Sequence, residues 1–167
     1  MAMSLGRDAV PEVPCTPQPG RRTAEPVISR IFLGGAAGTV AITLMMYLVD
    51  PLITGRSSDL ARLLGAELGN PHWVGGLVLH FFNGVILFPL GFAFFAARLP
   101  GPWPVKGVIW GTIIWALAQG VVMPISGAGF FGYNAGGLWA AVSSLAGHWV
   151  YGGLQGLIAG IPPRQDD

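Results

Sequence analysis

Charge is what this sequence has least of. Only 10% of its 167 residues are Asp, Glu, Lys or Arg, against about 25% in soluble domains. None occurs between Glu67 and Arg98, and none from Gly107 to Pro163. Gaps of that length exclude a cytosolic enzyme, and the chain has no basic patch for nucleic acid. Cysteine is almost missing too. Cys15 stands alone, so there is no intramolecular disulfide and no Cys-based metal site. No apolar run precedes it, so it is not a lipoprotein cysteine. The first residues lack a signal-peptide core, and Asp8, Glu12 and Glu25 argue against a transit peptide. Catalytic signatures are absent as well: no Ser-His-Asp set, no H-E-x-x-H, no phosphate loop with its Lys. A non-enzyme is therefore expected.

What the chain has in abundance is apolar residues (52%), glycine (26) and tryptophan (6). Four runs meet the roughly 20 residues needed to cross 30 Å of hydrocarbon. They lie at about 27–49, 72–97, 105–125 and 138–161. Only helices satisfy their own backbone in lipid over such lengths, and the short alternating segments of a β-barrel do not appear. The expectation is an all-α membrane protein of four transmembrane helices. Prolines 11, 14, 17, 19 and 26 make residues 1–26 a polar, non-helical tail; residues 162–167 form a second short tail.

Arg7, Arg21, Arg22, Arg30, Arg98, Lys106 and Arg164 fall on one side of these spans. Only Arg56 and Arg62 fall on the other. That asymmetry places both termini in the cytoplasm. In the first outer loop, Ser58-Asp59 reads as a helix start and Gly69-Asn70-Pro71 as a stop. Leu60, Leu63, Leu64 and Leu68 share one face between them. A short amphipathic helix is expected there, on the membrane surface or on the top of the bundle.

The spans also pair with one another. At an offset of 73, Gly38-Thr39 meets Gly111-Thr112 and Pro51 meets Pro124; at 68, His80 meets His148 and Gly84 meets Gly152. This reads as two repeated hairpins of the same orientation, related by a pseudo-two-fold axis along the membrane normal. Small-residue faces recur at Gly34-x-x-x-Gly38, Gly107-x-x-x-Gly111 and Gly152-x-x-x-Gly156-x-x-x-Gly160. These residues, with Gly84, are expected to be helix contacts.

No carboxylate lies inside any span, and Lys106 sits only at the edge of the third, which disfavours a pump or coupled transporter. Two histidines remain, His80 and His148, each with small residues one turn away. Three readings stand for them. They can bridge helices by hydrogen bonds, with Thr39, Thr43, Thr112, Asn83, Gln119, Ser143, Tyr151 or Gln155 as partners. They can ligate a b-type haem between walls of Gly76, Gly84 and Gly152. They can contact a quinone. Bridging ranks first, because nothing else in the sequence asks for a cofactor.

The chain also carries a run of motifs: Ser-Ser-Asp-Leu-Ala-Arg-Leu-Leu-Gly, Gly-Leu-Val-Leu-His-Phe, Gly-Val-Val-Met-Pro and Gly-His-Trp-Val-Tyr-Gly. Over residues 27–161 it resembles a family of uncharacterised four-helix bacterial inner-membrane proteins, associated loosely with respiratory oxidases. The resemblance implies a non-catalytic accessory or assembly subunit of a larger inner-membrane complex in electron transfer, with the lipid bilayer and the subunits of that complex as partners. A haem-b or quinone-binding carrier is the alternative, and a small transporter the third reading.

Overall fold

The computed structural model describes residues 25–55, 61 and 73–162. The tail before residue 25, the expected amphipathic helix apart from Ala61, and residues 163–167 lie outside them. Among the described residues every regular element is helical. They form four rods. The first joins α1 (Glu25–Leu44), π1 (Met45–Val49) and α2 (Asp50–Thr54). The second joins α3 (Trp73–Phe82), π2 (Asn83–Leu87) and α4 (Phe88–Phe95). The third joins α5 (Trp103–Leu117), π3 (Ala118–Val122) and α6 (Met123–Ile125), and the fourth is α7 (Gly137–Ala159).

Three rods are long and apolar enough to cross a membrane: Val27–Ile53, Trp73–Phe95 and Trp103–Ile125. At 1.5 Å per residue each exceeds about 30 Å. Helix α7 has 23 residues but is less apolar, because Ser143, Ser144, His148, Tyr151 and Gln155 all lie on it. Ser143, Tyr151 and Gln155 are buried, so α7 carries much of its polarity inward.

Each π turn stands just before a proline, Pro51, Pro89 or Pro124. Proline gives no N–H, and its ring crowds the carbonyl four residues back. One wide turn relieves the crowding. Asp50, Phe88 and Met123 donate their N–H groups to Met45, Asn83 and Ala118, five residues back. The first rod therefore does not stop at Asp50-Pro51, where the sequence places its end. It continues to Thr54 and closes at Gly55, whose φ of 68° is left-handed and whose N–H reaches the Pro51 carbonyl at 3.0 Å.

Helix α7 lies between α1 and α5. Gly34 and Gly38 bring α1 onto its backbone at Gln155 and Tyr151, where an added Cβ would stand 2.8 and 2.7 Å away. On the other side Gly107 faces Gly152, Gly111 faces the His148 carbonyl, and Gly156 and Gly160 face Trp103. The second rod rests on the first through Gly84 against Thr39 and Gly35 against Pro89. It meets the third rod chiefly at one end, where Phe95 stacks on Trp110 at 5.9 Å and Gly91 admits the Trp110 ring. At that end basic side chains cap helix C-termini. Arg30 donates to the Ile161 carbonyl, Lys106 to Ala96 at 2.8 Å and Arg98 to Phe94 at 3.0 Å. At the other end Ser143 donates to the Asp50 carboxylate and Trp73 to the Tyr47 hydroxyl.

Candidate functional site

Away from the aromatic contact the second and third rods do not pack together. Between π2 and π3 lies a partly open cavity of about 110 Å³, floored by α1 and α7. Its polar lining comes from Thr39 on α1, Asn83 and Gly84 on π2, Gln119 on π3, and Ser144, His148 and Tyr151 on α7. His80 adds to it from α3. Ile42, Phe88, Ile114 and Met123 supply apolar wall. The two histidines thus share one cavity.

Hydrogen bonding fixes their tautomers. Thr43 donates its only hydroxyl proton to the Thr39 carbonyl at 2.6 Å. At its 3.0 Å contact with His80 it must accept, so His80 carries its proton on Nε2. His148 donates from Nδ1 to the Ser144 carbonyl at 2.7 Å. Each ring then keeps one nitrogen lone pair, Nδ1 of His80 and Nε2 of His148. Gln119, 3% exposed, donates from Nε2 to the Ser144 hydroxyl at 3.3 Å, and its buried Oε1 has no partner.

Tyr151 has a structural task beside this cavity. In the π register the Gly84 carbonyl is assigned to residue 89, and Pro89 has no N–H to give. The Tyr151 hydroxyl donates to that carbonyl at 2.8 Å. Tyr151→Phe is therefore expected to lower stability by about 1 kcal/mol, the cost of leaving one buried carbonyl without a donor. Thermal unfolding in detergent, followed by circular dichroism, checks it. An unchanged midpoint would mean another donor takes over.

In the alternative haem reading Gly76, Gly84 and Gly152 are the walls of a slot. Gly84 borders the cavity and lies against Thr39, and Gly152 lies against Gly107. Among the described residues no three His, Cys, Asp or Glu side chains gather to hold a metal ion. The sequence reading named Gln119 and Tyr151 only as hydrogen-bond partners. A usable signal was present, a polar residue five or six places before a proline inside an apolar span, as in Asn83…Pro89 and Gln119…Pro124. The loop after α6 closes over one end of the third rod. Its 3₁₀ turn, Phe130–Gly132, places the Phe131 ring 5.8 Å from Trp115 and brings Gly132 near the Gln119 amide.

No curated protein and no solved structure matches this chain. Residues 27–165 match a family model, and the chain belongs to that family, described as the family of unknown function DUF6789.

Proposed function

We propose that this chain is a four-span, non-catalytic inner-membrane protein whose working centre is the cavity around His80 and His148. It serves as a small accessory subunit beside a larger electron-transfer complex. The observation that carries the reading is the cleft itself. The second and third rods leave polar groups of several helices converging on an unfilled space between their π turns. Cavities of this kind are default binding sites, and π turns recur at functional positions. In this reading α7 is the fourth span, its polar residues tolerated because they turn into the bundle. A duplicated hairpin accounts for π1 and π3 lying 73 residues apart, with Gly34 and Gly38 echoed by Gly107 and Gly111 on opposite sides of α7.

Haem b is the less favoured occupant. Nε2 of His80, a usual axial ligand atom, is engaged by Thr43. The cavity is the size of one small ring, not of a macrocycle. An engineered cavity of about 150 Å³ holds benzene.

Purification from native membranes in a mild detergent tests the assignment. The chain should migrate with larger subunits and show no b-type absorption. Migration alone with nothing bound would overturn it. Orientation is tested separately. A membrane-impermeant thiol reagent on intact cells should label Ser58→Cys and spare the native Cys15. The opposite pattern would invert the topology.

A further inference from the structure

We infer that residues 126–139 form a membrane anchor, which folds back along the third rod and seats Phe130, Tyr133 and Trp139 at the boundary between lipid headgroups and acyl chains. The inference rests on the reading of the rods as membrane spans.

Contacts fix the depth of the segment. The third rod rises about 33 Å from Trp103 to Ile125, at 1.5 Å per residue. The chain then turns back along it. The Phe131 ring lies 5.8 Å from Trp115, whose Cα stands about 15 Å of helix before Ile125. Gly132 lies beside the Gln119 amide, where an added Cβ would be 4.0 Å from its oxygen. Trp115 donates to the Ala141 carbonyl, so α7, which starts at Gly137, begins alongside the rod rather than beyond its end.

Irregular backbone at that level needs its polar groups satisfied by protein. Ser126, Gly127 and Ala128 donate their N–H groups to the last carbonyls of the third rod. Gly132, Tyr133, Asn134 and Ala135 donate theirs to carbonyls of the segment itself. Phe131 has a φ of 53°, the one positive value among the described residues other than glycine, so packing on Trp115 rather than local preference shapes the turn. A turn built this way loses little freedom on insertion.

Continuity and chemistry say what covers it. Phe130, Tyr133, Leu138 and Trp139 are exposed, and so are Val121 and Ile125 on the rod that leads into them. No charged residue occurs from Gly107 to Pro163, so the segment has nothing with which to complement a charged partner. Tyr and Trp carry a polar tip on an apolar body and favour the membrane–water interface. The same end of the bundle shows Trp73 and Tyr47, exposed and bonded to each other at 3.0 Å. The opposite end carries Arg98 and Lys106.

Collision-based electron paramagnetic resonance tests this, with the full chain in phosphatidylcholine nanodiscs. Spin labels are placed at Phe130→Cys and Tyr133→Cys, each in a Cys15→Ala background. Both side chains are exposed, so a label displaces no packing. Ile86→Cys, exposed near the middle of the second rod, is the lipid-facing reference. Oxygen concentrates in lipid, and a nickel chelate stays in water. The ratio of oxygen to nickel collisions should exceed unity at both anchor positions and stay below the ratio at Ile86→Cys. A nickel-dominated ratio at Phe130→Cys would place the turn in water and overturn the inference. A label there that neither reagent reaches would mean that a second copy of the chain covers the turn, and would overturn it equally. A nickel-dominated ratio at Ile86→Cys as well would overturn the span reading along with the inference.

Discussion

Gly107→Leu is expected to prevent the bundle from assembling. A Cβ at residue 107 would collide with the Gly152 carbonyl oxygen and would stand 2.9 Å from the Gly156 nitrogen. The obstacle is backbone, so no rotamer change relieves it, and α5 must move off α7. Overpacking a close-packed core costs about 1–3 kcal/mol when side chains can yield. Here they cannot, and roughly 3 kcal/mol or more is a large part of a total stability of about 5–15 kcal/mol. The measurement is the yield of monodisperse protein by size exclusion, together with its unfolding midpoint. Gly75→Ala is the matched control. Nothing lies within 4 Å of an added Cβ there. It should be neutral or slightly stabilising, since alanine favours helix over glycine. Equal damage from both changes would mean that α5 and α7 do not meet through these glycines.

The second large effect is expected at the seam between the first two rods. Gly84→Ala places its Cβ on the Thr39 hydroxyl, and Thr39 is fully buried. That hydroxyl is also held at 2.7 Å on the Gly35 carbonyl. A cost of about 2 kcal/mol follows from overpacking. Thr39→Ala removes the nearest obstacle, so the double variant should lose less than the two single variants together, by about 1 kcal/mol of coupling. Strict additivity in unfolding midpoints would show that residues 39 and 84 do not touch.

Much of this fold was legible because bilayer thickness constrains sequence so strongly. Charge-free runs marked the rods. The glycine spacing announced close helix approach but could not say which backbone each glycine would meet, since that depends on how the rods are arranged. The π turns were not legible. Periodicity reads an apolar run as one continuous helix, whereas Pro51, Pro89 and Pro124 each widen a turn and let the helix go on. That widening frees the Gly84 carbonyl, which engages Tyr151, and places Asn83 and Gln119 on the cleft. The histidines stood out as polar residues in an apolar span. Their tautomers depend on Thr43 and the Ser144 carbonyl, and one of those contacts joins different rods. The packing also departs from an even pseudo-two-fold. The fourth rod is central, the second lies to one side, and the space between the second and third rods remains open.

The most direct test of the account is to isolate the chain from its native membrane in a mild detergent and identify by mass spectrometry what migrates with it. Larger subunits of an electron-transfer complex should accompany the chain in fixed proportion. A chain that migrates alone, or one that carries a bound haem, would contradict it.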